Sequence, residues 1–285
     1  MIKVLRSGLL STIQDQGRLG FQIYGVPISG VMDSYSANLA NLLLGNDENA
    51  AVMEITLIGP RLLFNSPTSL VLTGADLSPS LNENSIDLNT IHQVQIGDVL
   101  SFGPLKKGIR AYMAVKGGFT APMIMKSRSM YANITNVAVL KSGDELQIES
   151  SNSVIHIKNA SIKMRNNHFD EIVLDAYIGP EFDNLDDSVK HLLGSSIFTI
   201  SNDHNRMGYR LEELVPNEMN QLLTSPVLPG TVQLTPSGRI IILMRDAQTT
   251  GGYPRILQLA DNAMNILSQK KTGDQIRFKL MKTPI

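Results

Sequence analysis

Five consecutive apolar residues, Ile240 to Met244, constrain the fold more strongly than any other part of this sequence. A turn signal, Thr235 to Gly238, precedes them, and a second β-rich run covers 231–234. An uninterrupted apolar run next to a turn is typical of a strand that is buried on both faces. The ten residues after Met244 are mostly polar and include two consecutive glycines. We therefore predict a buried strand that delivers polar side chains at its end, where rigid scaffolds often present a site.

Short strand-like runs recur along most of the chain, separated by Gly, Pro and Asn turns. This spacing predicts a mainly β fold of the barrel or sandwich type, with a few short helices. The first predicted helix follows Asp33 or Ser34 and runs to about Leu44, and the other two cover Asn184–Leu193 and Leu257–Leu267. The first of them has Asp33 or Ser34 as a candidate N-cap and Gly45 as a stop signal.

Charge and cysteine content exclude several classes of protein. The net charge is −1, so a general nucleic-acid or anionic-membrane surface is not expected. The chain has no cysteine, which excludes disulfides, thiol nucleophiles and Cys-ligated metals. The five histidines show no metal-ligand spacing, so no metal site is predicted. The sequence shows neither a signal peptide nor a membrane-spanning run, and we expect a soluble cytoplasmic protein.

Weak internal repeats predict two related β-rich units. Ile58-Gly59-Pro60 returns as Ile178-Gly179-Pro180, and a Gly-Asp pair precedes a predicted strand at 97–98, 143–144 and 273–274. A segment rich in Ser, Asn and Lys, 150–170, separates the two halves. We therefore predict an N-terminal unit over residues 1–165 and a C-terminal unit over residues 166–285.

Three polar clusters hold most of the candidate chemistry. Arginine forks and amide groups recognise carboxylates and phosphates through paired hydrogen bonds, so these clusters suit a small anionic or amide-bearing substrate. They contain no obvious nucleophile. The alternative is that the arginines form internal salt bridges with Asp15 or Asp246 and hold long loops in place. The clusters are Ser11, Thr12, Gln14, Asp15 and Arg18; Asn205, Arg206, Tyr209 and Arg210; and Gln233, Arg245, Asp246, Gln248, Thr249, Thr250 and Tyr253.

Several motifs, in this order, resemble one protein family. They are Ser11-Thr12-Ile13-Gln14-Asp15, Gly17-Arg18, Gly25-Val26-Pro27, Met32-Asp33, Thr73-Gly74-Ala75-Asp76, Asn205-Arg206-Met207-Gly208-Tyr209, Pro229-Gly230 and Thr249-Thr250-Gly251-Gly252-Tyr253-Pro254. The chain resembles the second polypeptide of the allophanate-hydrolase-type, biotin-dependent carboxyltransferase family. That family includes the C component of bacterial 5-oxoprolinase, the antagonist of the Kip sporulation-kinase inhibitor, and the carboxyltransferase region of urea carboxylase.

The resemblance implies two cyclophilin-like β-barrel units and work inside a complex. A sister polypeptide, the B component, is the implied partner, and in 5-oxoprolinase an A component completes the ATP-dependent opening of 5-oxoproline to glutamate. ATP and Mg²⁺ would be held by the complex, the substrate would be a small amide or lactam, and no biotin would be attached to this chain. Because the 285 residues contain no biotin carboxylase region or biotinyl-lysine domain, we expect a 5-oxoprolinase C component. The alternatives are carboxyl transfer from carboxybiotin to urea or a similar amide, and a non-enzymatic antagonist of a kinase inhibitor.

The sequence departs from the family pattern in its middle. The family's Gly-Ser-Arg-Ser-Thr appears here as Lys126-Ser127-Arg128-Ser129-Met130, and the glycine-rich segment that normally follows is replaced by Ile134 to Val139. These departures argue against a role in the family's chemistry for the loop 124–130, called here the middle loop. They also indicate a change of substrate or partner.

The site hypothesis combines the three clusters. The loops around Arg206 and after Met244 would line one pocket, with the loop 14–18 at its rim. Arg206 and Arg245 would bind a carboxylate or phosphate, and at least one of the paired glycines is predicted to have φ > 0. The candidate catalytic residues are Asp15, Arg18, Arg206, Arg245 and Asp246, with the two aspartates either positioning arginines or contacting substrate. The candidate substrate-binding residues are Gln14, Tyr209, Gln233, Gln248, Thr249, Thr250, Gly251, Gly252 and Tyr253.

Overall fold

The computed structural model describes residues 1–148 and 169–281. The chain packs as two compact units. The N-terminal unit contains Met1–Gly17 and the chain from Ser29 onward, whereas the C-terminal unit contains Arg18–Ile28 and the chain from Phe169 onward. The predicted boundary between residues 165 and 166 lies outside the described residues.

The N-terminal unit contains one helix and eleven strands among its described residues. The helix is α1 (Ser34–Leu44). The strands are β1 (Ile2–Arg6), β2 (Leu10–Gln14), β3 (Val52–Thr56), β4 (Arg61–Phe64), β5 (Thr68–Asp76), β6 (Pro79–Leu81), β7 (Asn84–Ser85), β8 (His92–Val94), β9 (Val99–Phe102), β10 (Lys107–Val115) and β11 (Glu145–Leu146). They form a six-stranded sheet in the order β11-β1-β4-β9-β6-β7 and a five-stranded sheet in the order β2-β3-β10-β5-β8.

Apolar side chains from both sheets build the main core of this unit. Ile2 and Phe64 of the six-stranded sheet pack in one cluster with Ile13, Ile55 and Met113 of the five-stranded sheet. Removing apolar side chains of this size from water contributes about 1.5–3 kcal/mol for each fully buried residue. Successive residues of a strand turn to opposite faces, so Leu70 and Leu72 of β5 pack into this core whereas Val71 packs into a second cluster.

Helix α1 covers the other face of the five-stranded sheet. Ala37, Ala40 and Leu44 of the helix pack with Val52 and Val71 of the sheet. The helix begins as predicted, because the side chain of its N-cap residue, Asp33, accepts a hydrogen bond from the backbone N–H of Ser36. It ends at a glycine with φ 62°, as the sequence also predicted.

The C-terminal unit contains nine strands and two helices among its described residues. The strands are β12 (Val173–Ile178), β13 (Phe198–His204), β14 (Gly208–Leu214), β15 (Ser225–Pro226), β16 (Thr231–Leu234), β17 (Arg239–Leu243), β18 (Thr250–Gly251), β19 (Arg255–Leu259) and β20 (Gln275–Met281). The helices are α2 (Asp187–Ser195) and α3 (Asp261–Ser268). In the described part of the chain, no helix combines the length and the apolar content that crossing a bilayer requires.

Seven strands of this unit close into a barrel in the order β12-β19-β16-β17-β14-β13-β20. Neighbouring strands run antiparallel around the barrel except at the closure, where β20 pairs with β12 in parallel. An odd number of strands cannot alternate in direction all the way round, so one parallel pair is required. The prediction of a mainly β fold with a barrel is confirmed.

Strand β17 lies where the apolar run predicted it. Ile240 and Ile242 are fully buried, and on the other face Leu243 packs in a second cluster with Val227 and Ala247. The predicted helix bounds were less accurate, because the chain from 255 to 259 is a strand of the barrel and α3 begins only at Asp261.

The three Gly-Asp pairs adopt the same turn. The glycines at 97, 143 and 273 have φ 92°, 93° and 84°, a conformation that L-residues with a Cβ rarely adopt. The carboxylate of each following aspartate accepts a hydrogen bond from the amide three residues earlier, over 2.7, 2.7 and 2.9 Å. Two of these turns lie in the N-terminal unit and one in the C-terminal unit, so the repeat that was predicted from sequence is structural.

Candidate functional site

The end of strand β17 presents a buried ion pair. Asp246 follows the strand by three residues, and Arg206 lies in the turn between β13 and β14. The Arg206 guanidinium donates from Nε to Oδ2 of Asp246 over 2.7 Å and from Nη2 to Oδ1 over 3.0 Å. The backbone N–H of Asp246 also donates to the Arg206 carbonyl over 2.8 Å. The two side chains are only 8% and 11% exposed.

The sequence left open whether the arginines form internal salt bridges with Asp15 or Asp246. Arg206 does form one, because the Asp246 carboxylate holds its guanidinium in a two-pronged contact. Such a contact fixes both the position and the plane of the arginine. Met244 donates its backbone N–H to the Met207 carbonyl, so the loops that carry Arg206 and Arg245 run side by side. The structure thus brings two of the three predicted segments together. The prediction that Arg206 and Arg245 bind one ligand stays a prediction.

The loop 249–254, called here the Gly-Gly loop, is built on backbone hydrogen bonds. Strand β18 within it pairs with β15, and Leu222 donates its N–H to the Gly252 carbonyl over 2.8 Å. Val227 donates its N–H to the Thr249 carbonyl over 3.0 Å. Among the predicted binding residues near this loop, Gln248 and Thr250 are exposed, whereas Thr249 and Tyr253 are partly buried. The loop is therefore a fixed structure with polar side chains at its surface.

The paired glycines serve a different purpose from the one predicted. Neither Gly251 nor Gly252 has φ in the left-handed region, so the prediction of φ > 0 is wrong. A Cβ on Gly251 would lie 2.8 Å from Nε2 of Gln233, and a Cβ on Gly252 would lie 3.1 Å from the Leu222 carbonyl oxygen. Glycine is required here because neighbouring groups approach the backbone closely.

Gln233 supports the Gly-Gly loop from inside the barrel wall. Its side chain is 1% exposed, and Nε2 donates to the Tyr253 carbonyl over 3.3 Å. We predicted that Gln233 orients a substrate amide. The structure instead places its amide N–H against the protein's own loop.

Tyr209 lies in the interior of the C-terminal unit. It is fully buried, its ring centroid is 4.9 Å from that of His204, and its hydroxyl donates to the Lys270 carbonyl over 3.4 Å. A hydroxyl turned to a core carbonyl favours a packing role, and the predicted substrate-binding role of Tyr209 stays a prediction. Arg210 of the same cluster pairs with Asp203 over 2.5 Å, with both side chains largely exposed.

In the N-terminal unit, the Asp15 carboxylate collects four hydrogen bonds. Oδ1 accepts from the Gly17 N–H over 2.9 Å and from the hydroxyls of Ser127 and Ser129 over 2.6 and 2.7 Å. Oδ2 accepts from the Arg128 N–H over 2.5 Å. Asp15 is 8% exposed. Three of the four donors belong to the middle loop, so the carboxylate holds that loop in place, and a catalytic role for Asp15 stays a prediction.

The middle loop turns sharply just before these serines. Ile124 and Ser127 exchange backbone hydrogen bonds across a two-residue turn. The turn residues, Met125 and Lys126, have φ 51° and 60°, and both are exposed. Lys126 stands where the family pattern has glycine, so this departure places a side chain in a left-handed conformation.

Gln14 also holds the middle loop. Its Nε2 donates to the Met130 carbonyl and to the Thr12 hydroxyl, each over 3.1 Å. Its Oε1 is buried and has no hydrogen-bond partner among the residues that the structure describes. The predicted role of Gln14 in substrate binding is not tested by these contacts. Arg18 is fully buried and belongs to the segment that packs with the C-terminal unit, where its N–H donates to the Ile28 carbonyl over 2.6 Å.

Sequence reasoning missed a buried polar network under α1. The Tyr112 hydroxyl donates to Glu54 over 2.9 Å, and the same carboxylate oxygen accepts from the Met32 N–H over 2.8 Å. Arg110 lies 4.0 Å from the other oxygen of Glu54. Burial raises the pKa of Tyr112 well above its ordinary value, and the Glu54 charge raises it further. The available signal was the pattern of polar residues on alternate positions of neighbouring strands, which share one sheet face.

A second missed feature is the ion pair between Glu181 and Arg255, next to the Gly-Gly loop. Arg255 Nη2 donates to Oε1 of Glu181 over 2.7 Å, and Nε donates to Oε2 over 3.0 Å. Hydrogen bonding from Arg255 lowers the pKa of Glu181, and hydrogen bonding to Glu181 raises the pKa of Arg255. Glu181 follows Gly179-Pro180, which the sequence analysis used only as a repeat, and Arg255 follows Tyr253-Pro254, which it used only as part of a family motif.

The N-terminal unit also holds a cavity of about 250 Å³. Its walls include Phe119 and Leu146 of the core, with Arg128, Asn136 and Val137 from the middle loop and the segment after it. None of the fourteen predicted site residues lines this cavity. Residues 1–148 and 169–281 contain no group of three or more His, Cys, Asp or Glu side chains that could hold a metal.

The closed barrel with polar loops at the end of β17 places the chain in the class of mainly β, barrel-containing proteins. Comparison with known proteins shows the family. Residues 24–280 match the family described as carboxyltransferase domain, subdomain A and B. The chain belongs to this carboxyltransferase-domain family.

Two relatives and one solved structure show what the whole chain is similar to. It is 34% identical to the 5-oxoprolinase C component of Escherichia coli strain K12, over 98% of this chain and 90% of that protein. It is 32% identical to the 5-oxoprolinase C component of Haemophilus influenzae, over 98% and 91%. The crystal structure of Kluyveromyces lactis urea carboxylase superposes on 97% of this chain with a TM-score of 0.88 and 29% identity. The chain corresponds to 27% of that longer protein.

Proposed function

We propose that this chain is the C component of an ATP-dependent 5-oxoprolinase, which helps to activate 5-oxoproline for cleavage to L-glutamate together with the A and B components. One observation carries the proposal: the chain is 34% identical to a protein named as the C component of 5-oxoprolinase, over 98% of this chain and 90% of that protein. By contrast, it corresponds to about a quarter of the solved urea carboxylase.

The geometry supports a site at the end of β17 for a substrate of this kind. 5-Oxoproline carries a carboxylate and a ring amide. We assign the carboxylate to Arg245, which lies beside the fixed Arg206–Asp246 pair along the chain and is partly exposed. Gln248 and Thr250, exposed on the adjoining loop, would orient the ring amide by hydrogen bonds. The Arg206–Asp246 pair then serves to hold the loop under Arg245.

The proposed complex requires ATP and Mg²⁺, and the described residues do not assign either to this chain. Mg²⁺ prefers carboxylate and phosphate oxygens. The described ranges offer no converging group of three or more metal-ligating side chains. Bound to the complex, ATP would supply the phosphoryl group that activates an amide oxygen. We assign substrate binding to this chain and the holding of ATP and Mg²⁺ to the complex as a whole, with the component that binds the nucleotide left open.

The experiment is co-expression of this chain with candidate A and B components, followed by assay of purified protein. We expect a stable complex of the three chains that hydrolyses ATP only when 5-oxoproline is present and forms glutamate. Omission of this chain should abolish the activity. A complex that assembles but shows no 5-oxoproline-dependent hydrolysis would overturn the proposal.

Arg245→Ala tests the assigned site within that complex. We expect the activity to fall at least about 100-fold, because loss of a charge-assisted hydrogen-bonding partner of the substrate costs about 1.5–3 kcal/mol and misplaces the reacting group as well. Arg210→Ala is the matched control, since Arg210 pairs with Asp203 at the exposed surface of the same unit. Equal activity of the two variants would remove Arg245 from the site.

Carboxyl transfer is the second candidate function. The family description and the TM-score of 0.88 with urea carboxylase support it. The test is to supply carboxybiotin and urea, or a similar amide, to the purified chain and its B-component partner and to measure carboxylated product. Carboxylation without 5-oxoproline-dependent ATP hydrolysis would favour this candidate over the first.

A further inference from the structure

The Glu181–Arg255 ion pair lies where the Gly-Gly loop rejoins the barrel. Arg255 follows Pro254, the last residue of the loop, and begins β19. Besides its two guanidinium bonds, Arg255 donates its backbone N–H to Oε2 of Glu181 over 2.8 Å. One carboxylate therefore fixes both the main chain and the side chain of Arg255. The two side chains are only 19% and 13% exposed, so solvent screens the pair less than it screens a surface pair.

The same guanidinium reaches the strand that supports the loop. Arg255 Nη1 donates to the Pro226 carbonyl over 3.0 Å. Pro226 belongs to β15 and lies opposite Thr250 of β18, inside the Gly-Gly loop. Glu181 is thus connected through Arg255 to the exit of the loop into β19 and to β15, the strand that pairs with the loop.

The backbone around Glu181 is shaped for this contact. A Cβ on Gly179 would lie 2.2 Å from the Arg255 carbonyl oxygen, so glycine is needed to let the two chains approach. Gly179 donates its N–H to the Ile256 carbonyl over 2.9 Å. The corresponding repeat in the N-terminal unit, Ile58-Gly59-Pro60, is followed by Arg61 in place of an acidic residue. The acidic residue after this repeat is therefore particular to the unit that carries the Gly-Gly loop.

We propose that Glu181 and Arg255 act as a positioning clamp that holds the Gly-Gly loop in the geometry needed for substrate binding. The proposal rests on the function proposed above and adds two residues that touch the loop and not the substrate. Misplacement of a binding loop by about 1 Å is enough to cost about 100-fold in rate, so a clamp of this kind has a measurable effect on catalysis.

The first test uses amide hydrogen exchange of the isolated full-length chain and requires no activity. The probes are the amides of Leu222 and Val227, which donate to loop carbonyls. In Glu181→Gln we expect both to exchange at least about tenfold faster, while amides in the β16–β17 ladder keep their rates, because the local opening involves the loop alone. The matched control is Asp187→Asn, which breaks an exposed ion pair with Lys190 in the same unit. Unchanged exchange at Leu222 and Val227, or equal acceleration across the barrel, would overturn the clamp.

The second test uses the assembled complex. Glu181→Gln and Arg255→Gln should each lower kcat/KM for 5-oxoproline by at least about tenfold, measured at a temperature where each variant is folded and bound to its partners. The double variant should be no worse than either single variant, because both remove one device. Arg255→Lys should not restore activity, since lysine cannot make the two-pronged contact and reach Pro226 as well.

The two proposals fail in different ways. If the wild-type complex shows no 5-oxoproline-dependent ATP hydrolysis, the function proposal fails, and hydrogen exchange still decides whether the clamp exists. If the wild-type complex is active and the clamp variants keep full kcat/KM, or if their effects add in the double variant, the clamp proposal fails and the function stands.

Discussion

The side-chain amide of Gln233 packs against the backbone of Gly251, at a distance of 2.8 Å from the point where a Cβ would be. Gly251→Ala should therefore displace Gln233 and break its hydrogen bond to the Tyr253 carbonyl. We expect the free energy of unfolding to fall by about 1–2 kcal/mol, the cost of a buried hydrogen bond with some overpacking. Chemical denaturation measures this change in the free energy of unfolding.

A double-mutant cycle provides the control for this first prediction. In a Gln233→Ala background, the Gly251→Ala change should cost clearly less, because the group it displaces is gone. Gly194 lies within α2 at ordinary contact distance from Leu280, so Gly194→Ala should be neutral or stabilising. Additive costs at 233 and 251 would show that this contact does not determine the choice of glycine.

The second prediction concerns Asp15. Asp15→Asn removes the acceptor capacity that holds Ser127, Ser129 and the Arg128 N–H, and should lower the free energy of unfolding by about 2–4 kcal/mol. Thermal and denaturant unfolding test this. The control is Asp98→Asn, because Asp98 makes similar backbone contacts at an exposed turn and should cost about 1 kcal/mol or less. A stable but inactive Asp15→Asn protein would restore a chemical role for this carboxylate.

The third prediction follows from the strained turn of the middle loop. Lys126 is exposed and has φ 60°, a conformation that costs a non-glycine residue about 1–2 kcal/mol. Lys126→Gly should relieve this strain and, after the added entropy of the unfolded chain, raise the free energy of unfolding by about 0.5–1 kcal/mol. Lys141→Gly is the control, since Lys141 is exposed and is not in the left-handed region, and this change should destabilise. Destabilisation of both variants would contradict the argument.

Local sequence signals predicted the parts of the fold that depend on neighbouring residues. The cap at Asp33, the Gly-Asp turns and the apolar run of β17 each carry their information within a few residues, and each formed as expected. Helix α3 was predicted to begin at Leu257 because apolar residues there suit either a helix or a strand. Pairing of β19 with β12 and β16 decides the matter in favour of a strand, and that pairing is a long-range property.

The sequence could supply candidate residues for the site, but it could not show which of them contact each other. Arg206 and Asp246 are 40 positions apart, and Asp15 and Ser127 are 112 apart, so the sequence could not show which carboxylate meets which donor. The resemblance to a family pointed to the segments that carry these residues, and their role in a site stays a prediction. The contacts show that several of the polar residues in them hold loops in place, the alternative that the sequence analysis left open for the arginines.

The last prediction concerns alkaline pH and the buried Tyr112. Its pKa is well above the ordinary value of about 10, because burial and the Glu54 charge disfavour the phenolate. Above about pH 10 the unfolded chain releases the tyrosine proton while the folded chain keeps it, so the unfolded state is favoured progressively as the pH rises. Tyr112 thus contributes stability that is fully present below about pH 10 and is lost above it. We expect Tyr112→Phe to lower the free energy of unfolding at pH 7 by about 1–3 kcal/mol, since Glu54 loses a buried donor.

The same variant should flatten the fall in stability between about pH 10 and 11, because phenylalanine has no proton to release. Denaturant unfolding at a series of pH values measures both effects, with Tyr24→Phe as the control, since Tyr24 is 73% exposed. An alkaline slope that is the same in Tyr112→Phe and in wild type would show that other groups govern the loss of stability.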